Sequence, residues 1–196
     1  MPREGIRVPG QNQIAMIVIG IDPGAANTGF GVVRTSGSQM VALDGGVIET
    51  TPGLPVEGRL ARIYSSLCEL LDWHEPKAMA LEDLFFGRNV GSALSVGQAR
   101  GVVLLAAAER HIPCFDYTPQ AVKKAVSGAG SAGKEQVQQM VASLLGLPEP
   151  PTPDHAADAF AVAICHAGHT GTNAAVASIA RPTVGTTPAV SQRVAG

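Results

Sequence analysis

The chain has 196 residues, of which 45% are hydrophobic and 15% are charged, so it holds apolar material for one good-sized core and hardly for two. Its net charge of −2 excludes a general attraction to nucleic acid, so any DNA binding must come from a local basic surface. No apolar run is long enough to span a membrane and no secretory signal opens the chain, so we expect a cytosolic protein without a membrane partner.

The two ends of the chain differ in composition from the middle. Residues 1–15 are polar and irregular, and they are either an unstructured N-terminal arm or lie upstream of a true translation start at Met16. From about Gly168 the chain is rich in Gly, Thr, Ala, Ser and Pro and has no acidic residue, which predicts a disordered C-terminal tail over residues 168–196. One folded domain is therefore expected over residues 16–167.

The first half of this domain predicts three strands and a helix. Residues 16–21 are continuously apolar, as in a buried strand. Residues 28–33 and 46–50 predict two further strands, and the short connections indicate an antiparallel meander. Residues 59–73 carry apolar side chains at the spacing of a helix with one buried face.

The second half predicts alternating strands and helices. Residues 78–82 and 112–117 are short apolar strands, separated by a long helix over residues 92–110. Three more helices are predicted at residues 119–126, 134–145 and 153–166, the last capped by Thr152 with Pro153 at its first position. Three strands followed by this alternation predict an α/β fold, with a mixed five-stranded sheet flanked by helices.

Two acidic residues stand where a predicted buried strand ends. Asp22 precedes Pro23-Gly24, where turn chemistry alone explains an aspartate as well as a functional role does. Glu82 ends the fourth strand with no lysine or arginine nearby in sequence, and a desolvated carboxylate usually protonates, pairs or binds a metal. Asp83 is the alternative carboxylate at this strand end, with solvation as its expected role.

The last predicted helix carries a third acidic group. His155 and Asp158 are three residues apart and share a helix face, with only alanines between them. Asp154 suits the helix dipole as a first-turn charge, although it is also a candidate ligand. Carboxylates on separate elements favour a hard cation such as Mg²⁺ or Mn²⁺, and a site of this kind supports phosphodiester hydrolysis with two ions.

The basic and sulfur-containing residues give weaker signals. Between residues 87 and 134 the only acids are Glu109 and Asp116, whereas the basic residues are Arg88, Arg100, Arg110, Lys123, Lys124 and Lys134. This segment is either a nucleic-acid surface or an ordinary solvated one. The cysteines, Cys68, Cys114 and Cys165, lie in apolar runs and are expected to be reduced core residues, and Cys165 beside His166 is a poor zinc site.

Several ordered motifs together resemble the RuvC family of Holliday junction resolvases. They are Ile19-Gly20-Ile21-Asp22-Pro23-Gly24, Thr28-Gly29-Phe30-Gly31, Ala80-Leu81-Glu82-Asp83-Leu84-Phe85, Ser92-Ala93-Leu94, Gly97-Gln98-Ala99-Arg100-Gly101 and Asp154-His155-Ala156-Ala157-Asp158-Ala159. The resemblance covers about residues 16–166. It implies a ribonuclease-H-like fold and a Mg²⁺-dependent homodimer that nicks two strands of like polarity at a four-way DNA junction, leaving 5′-phosphates.

The resemblance also implies roles for individual residues. Asp22, Glu82 and Asp158 match three members of the family's acidic, metal-binding catalytic site, and His155 occupies the fourth place. Phe85 matches an aromatic thought to wedge into the junction, with a core phenylalanine as the alternative. Lys123 and Lys134 match basic residues near the scissile phosphate, and Arg88 is a further candidate DNA contact. The family works with the RuvA and RuvB branch-migration proteins.

Two other functions are compatible with parts of the pattern. An ATP-binding protein of the actin and sugar-kinase group has a related first hairpin, but it needs a second lobe and a second phosphate loop, for which 196 residues are short. A catalytically idle junction-binding protein would keep the fold and the basic surface. Retention of Asp22, Glu82 and Asp158 argues against the idle binder.

Overall fold

The chain forms a five-stranded sheet with helices on both faces, and the computed structural model describes residues 15–83 and 90–172. The strands are β1 (Met16–Asp22), β2 (Asn27–Ser36), β3 (Gln39–Glu49), β4 (Ala78–Glu82) and β5 (Cys114–Tyr117). The helices are α1 (Val56–His74), α2 (Val90–Glu109), α3 (Pro119–Ser127), α4 (Lys134–Leu145) and α5 (Asp154–Thr172). These ten elements confirm the predicted succession.

The strand order is β3-β2-β1-β4-β5. The first three strands form the predicted antiparallel meander, whereas β1–β4 and β4–β5 are parallel pairs. Parallel neighbours need a crossover, and the helices α1 and α2 provide the two connections. The sheet is therefore mixed, as the sequence predicts, and β1 lies at its centre.

Alternate residues of the central strands enter two separate cores. Ile19 and Ile21 pack with Ile63 and Leu67 of α1 and Val103 of α2 on one face. On the other face, the core contains Val18, Val33 and Ala80 of the sheet together with buried residues of α3, α4 and α5. This period of two places every second side chain of β1 and β4 on the face that α5 covers.

Two elements are longer than the sequence predicts. Strand β3 begins at Gln39 rather than at residue 46, and its alternating exposed and half-buried side chains mark it as an edge strand. Helix α5 continues to Thr172, six residues beyond the predicted end at His166. Ala167 is buried and the His169 ring contacts the Cys165 carbonyl at 2.6 Å, which keeps this part of the chain helical despite its glycines.

The two caps that bear on the site differ in outcome. The Thr118 hydroxyl accepts a hydrogen bond from the Ala121 N–H at 3.2 Å and caps α3. The predicted cap at Thr152 is wrong, because α5 begins at Asp154. Pro153 follows a cis peptide bond and lies outside the helix.

The predicted arm at residues 1–15 is described only at Ala15, and of the predicted tail only residues 168–172 are described, so both predictions fall almost wholly outside the described residues. No helix within residues 15–83 and 90–172 combines the length and apolarity needed to cross a membrane.

Candidate active site

Asp22 and Glu82 leave the sheet side by side. Strands β1 and β4 run parallel, with Ile21 paired to Leu81, so the next residue of each strand ends at the same edge. Both acids fall on the sheet face that α5 covers, because Gly20 and Ala80, two residues earlier, lie on that face. The strand-end positions predicted for these two carboxylates are confirmed.

Glycines allow α5 to approach this edge of the sheet closely. A Cβ on Gly20 would lie 2.0 Å from the Ala159 carbonyl oxygen, and a Cβ on Gly29 would lie 2.0 Å from the carbonyl oxygen of His155. Because each contact is with backbone, no side-chain rotation would relieve it. The absence of these side chains therefore brings the first turns of α5 next to Asp22.

The close approach joins His155 to Asp22. His155 Nδ1 lies 2.7 Å from the Asp22 carboxylate oxygen Oδ2. Asp154 makes other contacts, since one of its carboxylate oxygens lies 2.9 Å from Lys134 Nζ and the other accepts a hydrogen bond from Gln138 at 3.0 Å. Those hydrogen bonds lower the pKa of Asp154. Of the two residues that the sequence left open, His155 is the one in contact with the strand-end acid.

The carboxylates lie close enough to repel one another. Burial, followed by the charges of Asp22 and Asp158, raises the pKa of Glu82 from 4.5 to about 7, against the opposing charge of Lys123. Burial also raises the pKa of Asp158, and Lys134 opposes that rise. The site therefore concentrates negative charge in a half-buried place, which is unfavourable unless a cation or protons compensate it.

The donor chemistry fits a hard cation. Carboxylate oxygens from β1, β4 and α5, with an imidazole beside them, are ligands that Mg²⁺ and Mn²⁺ accept. Among the residues that the structure describes, no three His, Cys, Asp or Glu side chains are grouped closely enough to hold one ion as they stand. A bound ion would draw the side chains of Asp22, Glu82 and Asp158 towards it, and its positive charge would offset their mutual repulsion.

Two lysines border the acids. A cleft of about 220 Å³ beside the site is lined by Glu82, Asp158, Lys123 and Lys134 together with apolar residues of α3, α4 and α5. Lys134 Nζ lies 3.6 Å from the Asp158 carboxylate, and its side chain is half exposed. The structure thus places both predicted lysines next to the predicted acids.

The predicted basic surface is smaller than the sequence suggests. Arg110 makes a bidentate ion pair with Asp72, at 2.6 and 2.8 Å, away from the acids. Arg100 is ion-paired with Asp116 and largely buried, and it also donates a hydrogen bond to the Glu82 carbonyl oxygen at 3.3 Å. Both charges are thereby used within the fold. The sequence places Arg100 in a basic segment and in one of the motifs that resemble the RuvC family, but a link between α2 and the end of β4 is not visible in a linear pattern.

Other predicted residues lie apart from the site or outside the described residues. Phe85 and Arg88 belong to residues 84–89, which are not described. Cys114 and Cys165 are buried as expected, whereas Cys68 is only half-buried. The ring of His166 is buried against Tyr117, whose hydroxyl lies 2.7 Å from Nδ1, and burial lowers the pKa of His166 to about 4.

A larger groove than the cleft at the acids lies elsewhere on the described part of the chain. A groove of about 890 Å³ lies between α1 and β3, and its lining includes Glu49, Arg62 and Trp73. None of Asp22, Glu82, His155 and Asp158 lines it. Shape alone would therefore have selected the wrong place, whereas the cluster of mutually repelling carboxylates identifies the candidate site.

Comparisons with known proteins show the family to which the chain is similar. The family model for crossover junction endodeoxyribonuclease RuvC matches residues 18–166. A protein of that name from Pelotomaculum thermopropionicum is 51% identical over 154 residues, which cover 79% of this chain and 94% of the relative. Another, from Moorella thermoacetica, is 53% identical over 152 residues, covering 78% of this chain and 91% of the relative.

A solved structure extends the similarity to three dimensions. T. thermophilus RuvC in complex with a Holliday junction substrate matches with a TM-score of 0.79 at 42% sequence identity. The match covers 85% of this chain and 99% of the other. The ribonuclease-H-like arrangement of a mixed sheet flanked by helices is therefore shared with that structure.

Proposed function

Because the chain belongs to the RuvC family of crossover junction endodeoxyribonucleases, we propose that it resolves four-way DNA junctions with the carboxylates Asp22, Glu82 and Asp158 as its catalytic centre. It is a metal-dependent nuclease of DNA recombination and repair. The observation that carries the site assignment is the meeting of acids from β1, β4 and α5 at one sheet edge, where their charges repel.

Asp22, Glu82, Asp158 and His155 would hold the metal, which we propose is Mg²⁺, with Mn²⁺ as a substitute and two ions per site. A metal bound there supplies Lewis-acid stabilisation of the phosphate and a more acidic water. The Nδ1 atom of His155 is hydrogen-bonded to Asp22, so the remaining ring nitrogen, Nε2, would bind the metal or transfer a proton. Asp22 in turn holds the imidazole ring in a single orientation.

The lysines beside the acids suit a phosphate backbone. Lys123 and Lys134 line the same cleft as Glu82 and Asp158, so a phosphate placed at the acids would meet both cationic side chains. Asp154 raises the pKa of Lys134 and so keeps it protonated. By resemblance, Arg88 adds a phosphate contact and Phe85 wedges between bases at the junction centre.

Symmetric nicking of two strands needs two active sites, and we propose that α2 forms the surface of a homodimer. This helix is apolar, with Leu94 65% exposed and Leu105 52% exposed, and Gly101 on the helix is also exposed. Exposed leucines on one helix favour association with a copy of the same helix. Association with RuvA and RuvB is implied by the resemblance, a cytoplasmic location is expected from the sequence pattern, and both stay predictions.

The first experiment compares a labelled immobile four-way junction with a matching linear duplex, each incubated with the protein in Mg²⁺ or in EDTA. Paired nicks with 5′-phosphate ends, in the junction only and only with metal, are expected. A junction that is bound but stays intact in both Mg²⁺ and Mn²⁺ would favour the idle binder.

Asp22→Asn tests the catalytic site directly. The variant should bind the junction as the unaltered protein does but lose cleavage, because the amide weakens metal binding and the contact with His155. Asp44→Asn is the matched control, since Asp44 lies on edge strand β3 and contacts His74 instead. Undiminished cutting by Asp22→Asn would exclude Asp22 from the chemistry.

A further inference from the structure

Arg100 connects helix α2 to the strand end that carries Glu82. Its Nη1 donates to the Glu82 carbonyl oxygen at 3.3 Å, and its Nη2 donates to the Asp116 carboxylate. We propose that Arg100 is a positioning residue, which holds the end of β4 so that the Glu82 carboxylate keeps its place at the metal site. The proposal rests on the nuclease function proposed above.

The geometry of the strand end explains why such a restraint is useful. Glu82 is the last residue of β4, and β1 pairs with β4 only as far as Leu81. On the other side, the Asp83 N–H donates to the Tyr117 carbonyl oxygen at 2.7 Å. Arg100 adds a restraint on the carbonyl of Glu82 itself, at the residue whose side chain must stay fixed.

Asp116 fixes the direction of the guanidinium. In the pairing of β4 with β5, Asp116 lies opposite Leu81, the residue before Glu82. The Asp116 carboxylate is therefore close to the end of β4. The planar guanidinium presents its donors in a rigid fork, and two acceptors on adjacent strands define its orientation. The Arg100 side chain is only 14% exposed, so solvent offers little competition for these contacts.

The carboxylates of Asp22 and Asp158 give this restraint a chemical role. They repel the Glu82 carboxylate, and an unrestrained strand end would yield to that repulsion. Loss of a group that orients a metal ligand typically weakens metal affinity or activity by about 10–100-fold. Arg100 therefore acts through Glu82 and need not touch the DNA.

Arg110 provides a matched control near the same helix. It directly follows α2 and is ion-paired with Asp72, as Arg100 is with Asp116, but neither Arg110 nor Asp72 lines the cleft at the acids. Methionine keeps the length of the arginine stem and removes its donors. Arg100→Met and Arg110→Met therefore each remove an ion pair, but only Arg100→Met also removes the donor to the Glu82 carbonyl oxygen.

The test measures cleavage of a bound junction in a single turnover, junction affinity, and the metal concentration that half-saturates the thermal stabilisation of the DNA-free protein. Arg100→Met should cut about 10–100-fold more slowly and need a correspondingly higher metal concentration, with unchanged junction affinity. Arg110→Met should match the unaltered protein in all three measurements.

A double variant separates positioning from stability. Arg100→Met leaves Asp116 with an unpaired, partly buried charge, which costs stability; Arg100→Met/Asp116→Asn removes that charge and should regain stability. Slow cutting and weak metal binding should persist in the double variant, because the Glu82 carbonyl still lacks its donor.

Cutting restored together with stability, or a normal rate and metal requirement in Arg100→Met, would overturn the positioning role. If the unaltered protein does not cut junctions at all, the proposed function fails instead. The two failures are therefore distinguishable.

Discussion

The burial of Glu82 and its repulsion by Asp22 and Asp158 predict that Glu82→Gln stabilises the metal-free protein in a pH-dependent way. In the folded protein the pKa of Glu82 is raised from 4.5 to about 7, so the folded state binds this proton more tightly than the unfolded chain does. The stabilisation due to the proton is complete below pH 4.5 and is lost as the pH rises through about 7. A glutamine is neutral throughout and loses nothing.

The magnitude follows from the shift in proton affinity. At about 1.4 kcal/mol for each tenfold change, the rise from 4.5 to about 7 corresponds to a ceiling of about 3 kcal/mol. Glu82 is only partly buried, so water reduces both the cost of burying the charge and the repulsion, and we expect a stabilisation of about 1–2 kcal/mol. In a protein of this size, that difference raises the melting temperature at pH 8 by about 2–8 °C.

The assay is thermal unfolding followed by circular dichroism in EDTA at pH 5 and pH 8. Glu82→Gln should raise the melting temperature at pH 8 and raise it much less at pH 5. Glu149→Gln, at an exposed glutamate away from the cleft, should leave the melting temperature unchanged at both pH values. Added Mg²⁺ at pH 8 should stabilise the unaltered protein more than Glu82→Gln, so the difference between their melting temperatures should become smaller. A gain that is equal at both pH values, or a loss at pH 8, would refute the electrostatic reasoning.

Three further predictions concern packing, catalysis and DNA contact. Gly29→Ala should lower the free energy of unfolding, measured in urea, by about 1–3 kcal/mol and slow cleavage, because the added Cβ meets the His155 carbonyl oxygen. Gly58→Ala, with open space around its added Cβ, should show no loss of stability. Lys134→Met should slow single-turnover cleavage by about 10²-fold without weakening metal binding, because it removes a cation from the phosphate side of the cleft. Lys124 does not line that cleft, so Lys124→Met should cut at the normal rate. Phe85→Ala should slow cutting of junctions with metal-induced thermal stabilisation unchanged; an unaltered rate would return Phe85 to a core role.

Much of the fold is visible in the sequence because its strands are buried and their connections short. The run that forms β1 is apolar throughout, and the residues that end β1 and β4 are acidic, so both the strands and the two carboxylates could be predicted. Strand β3 is longer than its sequence pattern predicts, because an edge strand with one exposed face carries polar residues and glycines that resemble a loop.

The rest of the site depends on tertiary contacts that spacing does not contain. Asp154 and His155 are adjacent in sequence, and only the approach of α5 to β2 decides that His155 meets Asp22 while Asp154 meets Lys134. The resemblance singles out Lys123 and Lys134, whereas a count of charges also includes Arg100 and Arg110, whose charges are paired inside the fold. The role proposed for Arg100 had no signal in composition or periodicity.

A row of three glycines crosses the sheet beneath α5, so the last helix packs directly on the first three strands. Gly45, Gly31 and Gly20 pair across β3, β2 and β1, and the ring of Phe160 occupies the space above Gly31 and Gly45. Because Asp22 comes from the first strand and Asp158 from the last helix, the proposed catalytic centre forms only after α5 has packed onto this row. A ribosome must therefore finish almost the whole domain before the chain holds the full set of proposed catalytic acids, and a product truncated ahead of residue 154 would lack both Asp158 and the helix that covers one face of the sheet.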